Sequence, residues 1–231
     1  MRKIISVVIP AFNEEKSIGK VISEIDKTIV KHIIVVNNNS TDKTHEIAKK
    51  HGAIVVFEKK KGYGYACLKG IEKTKELNTD IIVFMDGDYS DFPTEIKKII
   101  TPILNEKIDF VVGSRIKGKR EKGSLTIPQI FGNWLATRLI KLVYKKSYTD
   151  LGPFRAIKAT VLEDLNMRDK TYGWTIEMQI KIIIKKYKFK EISVNYRNRI
   201  GVSKVSGTIK GTIFAGIKII FAVFRYRFTF K

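Results

Sequence analysis

Ile81-Ile82-Val83-Phe84-Met85-Asp86-Gly87-Asp88 is the stretch on which the reading of this chain turns. An apolar run, β-branched at its start, ends abruptly in two carboxylates spaced i, i+2. Near-continuous apolar runs of this length read as strands buried on both faces. Four others follow the pattern: Ile4–Ile9, Ile33–Val36, Ile54–Phe57 and Phe110–Val112. Segments of helical period lie between the early runs, at Ser17–Ile29, Thr44–Lys50 and Ala66–Leu77. Strand and helix alternate, which predicts an α/β domain with a mostly parallel central sheet flanked by crossover helices. Ligands in such sheets bind beyond the C-terminal strand ends, so the residues just after each run become the candidates.

After about residue 115 the alternation stops. Lys117–Gly123 reads as a loop, Gln129–Tyr144 and residues 172–186 as helices, and residues 189–196 as a strand. The helix at Gln129–Tyr144 gathers Phe131, Trp134, Leu135, Leu139, Leu142 and Val143 on one side, with Arg138, Lys141 and Lys145 on another. Near the C-terminus, Ile213, Phe214, Ile217, Ile220, Phe221 and Phe224 recur with a helical period among basic residues. The expected organisation is one domain over residues 1–208 and a basic, amphipathic, membrane-associating tail over 209–231.

Composition narrows the class. Of 231 residues, 44% are hydrophobic and 29% charged, which indicates a folded globular protein. Cys67 is the only cysteine, so no internal disulfide forms, in keeping with a reducing, cytoplasmic compartment. The net charge is +21, of which +14 falls within residues 141–231. Such a basic C-terminal third suits an anionic partner: phosphates, nucleic acid or an acidic membrane surface. The opening apolar run is too short for a signal peptide. Ile213–Phe224, which contains Lys218, falls short of the roughly 18 apolar residues that span a bilayer.

The strand ends carry the chemistry. Asp86 and Asp88 can point the same way from extended backbone, and Mg2+ is usually held by one or two carboxylates plus substrate phosphates. The alternative is a polar turn. Pro10-Ala11-Phe12-Asn13-Glu14 follows the first run, with Pro10 expected to stop the strand; Glu15 suits a helix start. Asn37-Asn38-Asn39-Ser40-Thr41-Asp42 offers amides to a nucleobase edge, or caps the next helix. Gly62-Tyr63-Gly64 reads as a phosphate loop or, by default, a plain turn. Arg115 can clamp a phosphate bidentately, and Arg197, Arg199 and Lys204 form a basic loop able to close over a diphosphate. Asp150 and Arg155 read as a turn with opposite charges, and Glu177 follows aromatics able to stack on a sugar. His32, His45 and His51 lack metal-site spacing.

Taken in order, these segments resemble glycosyltransferase family 2, with its GT-A (nucleotide-diphospho-sugar transferase) fold, and most closely the dolichol-phosphate mannose synthase-like branch. The resemblance rests on Val7–Glu15, Val35–Asp42, Asp86-Gly87-Asp88, Val112–Arg115, Thr149–Arg155 and the Arg199–Lys204 loop. It implies that Pro10, Phe12, Glu14, Val36 and Asn38 hold the nucleoside, that Asp86 and Asp88 coordinate Mg2+ or Mn2+ bridging the diphosphate, and that Gly87 borders the nucleotide sugar. Arg115 would lie near the sugar phosphate or acceptor phosphate, and Arg155, Arg199 and Lys204 would bind phosphates at the acceptor side. The branch usually has acidic residues where Asn37 and Asn38 stand, and a glutamine where Ser90 stands.

The implied reaction is an inverting hexosyl transfer from a UDP- or GDP-linked sugar to a polyprenyl phosphate. It would take place at the cytoplasmic face of a membrane, with the protein attached peripherally or through a membrane partner subunit. A phosphate acceptor is already ionised; a hydroxyl acceptor, as in a glycan, needs a general base, with Asp150 and Glu177 as candidates. The competing class is a basic nucleic-acid-binding protein, suggested by charge but by no recognised motif, so no nucleic acid is expected. A sugar nucleotidyltransferase would carry a Gly- and Arg-rich loop after the first strand, and Pro10-Ala11-Phe12-Asn13 is not one.

Overall fold

The computed structural model describes residues 3–201 and 220–227. Among the described residues, seven strands form one sheet in the order β3-β2-β1-β4-β6-β5-β7. They are β1 (Ile5–Ala11), β2 (His32–Asn37), β3 (Ile54–Phe57), β4 (Ile81–Phe84), β5 (Phe110–Ser114), β6 (Arg155–Lys158) and β7 (Phe189–Ser193). The helices are α1 (Ile18–Ser23), α2 (Thr44–Lys50), α3 (Tyr63–Glu76), α4 (Ile96–Asn105), α5 (Ile127–Tyr144), α6 (Ala159–Leu165) and α7 (Trp174–Ile184). Residues 220–227 are also helical.

Strand pleating divides the apolar runs between two cores. On β1, β2 and β4, Val8, Ile34, Val36, Ile82 and Phe84 pack with α3, α5, α6 and α7. Val7, Ile9, Ile33, Val35, Ile81 and Val83 pack on the other face with α1, α2 and α4. This two-sided burial is why the runs show no polar alternation.

Most strands pair in parallel, but β6 lies antiparallel between β4 and β5. Its sequence, Arg-Ala-Ile-Lys, is basic at both ends and gives no strand signal. Sequence reading also passes over α4, although Ile96, Ile99, Ile100 and Ile103 form a buried stripe at helical spacing. The first helix is shorter than expected. After Ser23 the Asp26 carboxylate accepts the Thr28 N–H and hydroxyl at 2.8 and 2.6 Å, a local turn that competes with helix.

Pro10 does not stop β1, contrary to expectation. It pairs in register with Val36 of β2, while pairing with β4 ends at Val8. Its missing N–H falls on the side where β4 has already ended, so no ladder bond is lost.

The expected tail is described only over residues 220–227. There Ala222, Val223 and Tyr226 are buried, and the Tyr144 hydroxyl donates to the Val223 carbonyl at 2.6 Å. The remainder of 209–231, with Ile213, Phe214, Ile217 and Lys218, lies outside the described residues, as does Lys204. Among the described residues no helix is long and apolar enough to cross a membrane.

Gly70 lets α3 lie directly on β1 and β2: a methyl there would overlap Val8 Cγ1 and press on Val36 Cγ2. Gly70→Ala is therefore expected to destabilise by about 1–2 kcal/mol, overpacking outweighing the helix-propensity gain. Urea unfolding measures this, and a variant at least as stable as wild type would refute the close approach.

Candidate active site

The strands β1, β2, β4 and β5 deliver their following residues to one edge of the sheet. Two left-handed asparagines shape the first part of it. Asn13 (φ 54°) and Asn39 (φ 63°) turn the chain sharply after β1 and β2. Asn13 Oδ1 accepts the Thr41 N–H at 2.9 Å, and the Asn13 N–H donates to Ser40 Oγ at 3.0 Å. The two loops are thus stitched together. Glu14 is buried; its N–H donates to Thr44 Oγ1 at 2.8 Å and its carboxylate accepts the Ser17 hydroxyl at 3.0 Å.

Of the five residues implied for the nucleoside, Pro10, Phe12 and Glu14 line this edge, and Lys61 lies 5.0 Å from the Phe12 ring centroid. Val36 is fully buried in the core beneath α3. Asn38 spends its amide on structure: Nδ2 donates to the Glu58 and Lys60 carbonyls at 3.2 and 2.7 Å, and Oδ1 accepts the Gly62 N–H at 2.8 Å. It pins the loop that leads into α3. Gly62 and Gly64 meet the backbone of Lys170 and Asp169 so closely that a Cβ would collide, which explains both glycines without a phosphate.

The end of β4 holds three carboxylates. Asp88 Oδ1 accepts the Ser90 N–H and hydroxyl at 2.9 and 2.5 Å, and Oδ2 pairs with Arg199 Nη2 at 2.6 Å. Asp91, which the sequence reading did not single out, accepts the Asp86 N–H at 3.2 Å. Burial pushes Asp91 well above the usual carboxylate range, with Asp86 and Asp88 adding to the shift. Oδ1 of Asp86 and Oδ1 of Asp91 are buried without a hydrogen-bond partner. Burial, then the neighbouring Asp88 charge, raises Asp86 to about 7. The Tyr63 hydroxyl lies near enough to oppose that shift, yet makes no hydrogen bond of normal geometry. A Cβ added at Gly87 would meet Ile9 and Pro10 at ordinary contact distance, so no close approach demands the glycine.

Among the described residues no group of three His, Cys, Asp or Glu side chains surrounds a metal position. The donor set still fits a hard divalent cation. Asp86 presents an unpartnered buried oxygen beside Asp88, and Asp86 and Asp88 would hold such an ion, whose remaining positions are usually filled by water and substrate phosphates.

The basic residues separate into distinct roles. Arg115 faces Asp150 through two bonds, Nε to Oδ2 at 2.8 Å and Nη2 to Oδ1 at 2.7 Å, and the Arg115 N–H also donates to Oδ2. Burial disfavours that guanidinium, but the Asp150 charge more than compensates and its pKa is raised. Arg155 is fully buried. It donates to the Thr175, Leu151 and Gly152 carbonyls and lies within 6 Å of the Phe110 and Trp174 rings. Burial lowers its pKa. Glu177 is equally buried: it accepts the Arg168 and Asp169 N–H groups at 2.9 and 2.7 Å and pairs with Lys181 at 2.7 Å. It organises the loop that packs on the start of α3.

Arg197 is wedged between Tyr89 and Phe92, its guanidinium carbon 3.3 and 4.3 Å from their centroids. It pairs with Glu24 at 2.9 Å and donates to the Tyr89 carbonyl at 2.6 Å. Of the two arginines in this loop, Arg199 is the one that reaches the β4 carboxylates.

Asp86 ionises near pH 7 when folded and near 3.8 when unfolded, so its burial costs stability at pH 8. The cost is relieved as pH falls through about 7 and the folded form takes up the proton. Asp86→Asn is expected to stabilise the ligand-free protein at pH 8 by on the order of 1 kcal/mol, with a smaller gain at pH 6. Thermal unfolding at the two pH values checks this; equal or lower stability at pH 8 would count against the buried, unpaired carboxylate.

The model of the family described as glycosyl transferase family 2 matches residues 6–166. An uncharacterized glycosyltransferase of Mycobacterium tuberculosis is 31% identical over 215 residues, covering 91% of this chain and 94% of its own. A dolichyl-phosphate hexose transferase of Haloferax volcanii is 31% identical over 206 residues, covering 87% of this chain and 86% of its own. Glucosyl-3-phosphoglycerate synthase of Mycobacterium tuberculosis, solved with Mn2+, UDP and phosphoglyceric acid, is similar in fold. Its TM-score is 0.78 at 23% identity, over 98% of this chain and 79% of that one. The family match runs from β1 through α6 and takes in both metal-candidate carboxylates. On that ground the chain belongs to glycosyltransferase family 2, with the GT-A fold, on its dolichol-phosphate sugar synthase-like branch.

Proposed function

We propose that this glycosyltransferase moves a hexose from a UDP- or GDP-linked donor to a polyprenyl phosphate at the cytoplasmic face of a membrane. The observation that carries the choice of acceptor is the state of the two candidate bases. Asp150 is fully engaged by Arg115, and Glu177 by Lys181 and two backbone N–H groups. Neither carboxylate is free to take a proton from a hydroxyl. A phosphate acceptor needs no such base, and the Haloferax volcanii relative bears the name of a dolichyl-phosphate transferase.

In this reading Pro10, Phe12 and Glu14 border the nucleoside, and Asp86 and Asp88 hold the divalent ion. Mn2+ together with UDP in the fold neighbour supports that pairing of ion and nucleotide. Held by Asp86 and Asp88, such an ion would supply Lewis acidity toward the departing diphosphate. Arg199 and Lys204 offer positive charge to phosphates. Arg115, aimed by Asp150, keeps Nη1 as the guanidinium nitrogen not spent on that pair. Val36, Asn38, Arg155, Glu177 and Arg197 act by positioning the loops that frame the site.

The membrane reading draws on α5. Ile127, Phe131, Trp134 and Leu142 are exposed, with Arg138, Lys141 and Lys145 also exposed along the helix. Residues 220–227 add exposed Phe221, Phe224, Arg225 and Arg227 beside it. Aromatics with interspersed cations suit the boundary of an anionic bilayer. The basic, amphipathic sequence over 209–231 suits the same role, directly or through a membrane partner subunit.

Binding of UDP-glucose, GDP-mannose and related donors is expected to require Mn2+ or Mg2+ and to be lost in Asp88→Ala. With the bound donor radiolabelled, label should enter the organic phase when polyprenyl phosphate is supplied. Transfer only to a glycan or other hydroxyl acceptor would replace the lipid reading, and no donor binding with metal present would end the metal-dependent transferase mechanism. The protein should also sediment with anionic vesicles at low salt. The double change Phe131→Ala, Trp134→Ala should weaken that partition about tenfold or more; unchanged partition would exclude α5 as the contact.

A further inference from the structure

Arg199 occupies an oxygen of Asp88, one of the two carboxylates read as metal-holding. Its Nη2 lies 2.6 Å from Asp88 Oδ2, while Asp88 Oδ1 is already taken by Ser90. Its own Nε is buried and unpartnered, as are Asp86 Oδ1 and Asp91 Oδ1. The guanidinium therefore answers one carboxylate oxygen and leaves other polar atoms of the site unsatisfied. The backbone that carries it is fastened independently. The Arg197 N–H donates to the Ser90 carbonyl at 3.0 Å, the Ile200 N–H to the Asp88 carbonyl at 2.9 Å, and the Asn198 N–H to Glu121 Oε2 at 2.7 Å. Arg197 is itself held by Glu24, Tyr89 and Phe92. Only the Arg199 side chain needs to move.

We infer that Arg199 is a specificity-determining residue: it acts as the resident cation on Asp88 and yields that oxygen only when a divalent ion arrives with a nucleoside diphosphate. The inference rests on the reading of Asp86 and Asp88 as metal-holding carboxylates. A divalent ion held by Asp88 Oδ2 would meet the Arg199 guanidinium there in strong like-charge repulsion. A bare ion must evict Arg199 and leave it unpaired. An ion accompanied by a diphosphate gives the evicted guanidinium new oxygens to pair with, in a charge-assisted and often bidentate contact. Metal and nucleotide thus bind with positive coupling, and by linkage the coupling is reciprocal. The site favours the metal–diphosphate pair over either component alone.

The test is Mn2+ binding, read from the spin-resonance signal of the free ion, for wild type, Arg199→Met, Arg199→Lys and Asp88→Ala. Each is measured alone and with saturating UDP or GDP. Arg199→Met is expected to bind bare Mn2+ about tenfold more tightly than wild type, the worth of one charge-assisted bond removed from the competitor. With the nucleotide present that advantage should vanish or reverse, and Arg199→Lys should fall between. Bare-ion affinity in Arg199→Met equal to or below wild type would overturn the inference, while loss of binding in Asp88→Ala would leave the metal reading intact. Absence of Mn2+ binding in wild type under every condition would overturn both. If Arg199→Met fails to fold, Arg199→Lys, which keeps the charge but not the planar fork, carries the same comparison.

Discussion

Asp86, Asp88 and Asp91 put three carboxylates at the buried end of one short strand, where water screens them poorly. Burial and like charges there raise the pKa of Asp86 and Asp91, and the cluster calls for cations. Much of the surrounding structure answers that demand. Arg199 pairs with Asp88, the Ser90 hydroxyl and N–H fill its other oxygen, and Asp91 accepts the Asp86 N–H. The residual imbalance, an unpartnered oxygen on both Asp86 and Asp91, is the kind of strain that a site keeps for its ligand.

The arginines around this centre are chemically identical and structurally unlike. Arg115 is locked into a planar, two-bond pair with Asp150. Arg155 has backbone carbonyls instead of a carboxylate, together with the faces of Phe110 and Trp174. Arg197 is stacked between two rings and tied to Glu24, across the sheet edge on the segment after α1. Among the described arginines, only Arg199 pairs with a carboxylate at the end of β4. A guanidinium's five donors and flat face permit all of these uses, so the residue type alone does not choose among them.

Helix α5 shows a similar division. Ala136 and Ile140 face the core, and a capping box at Thr126 and Gln129 fixes the start of the helix. Much of its remaining apolar surface, with Phe131, Trp134 and Leu142, is left in the open beside lysines and an arginine. A helix needed only for packing would not require so wide an apolar surface.

Legibility in the sequence followed the range of the interactions. The five early strands, the α/β class, the resemblance to family 2 and the Asp86-Gly87-Asp88 motif were all readable, because two-sided burial and strand-end chemistry leave short local patterns. Element boundaries at α2 and α5 were close to the observed ones for the same reason. The antiparallel β6 was not readable: its four residues become a strand only because β4 and β5 flank them. Nor was the role of Asn38, whose partners stand 20 to 24 residues away, or of Asp150, 35 residues from Arg115. Asp91 escaped notice because its significance comes from burial beside Asp86, not from spacing. The sequence by itself determined which residues the strands present at one edge of the sheet. Only the tertiary structure decided which of those charges neutralise one another and which are left for a ligand, because that depends on contacts between segments far apart along the chain.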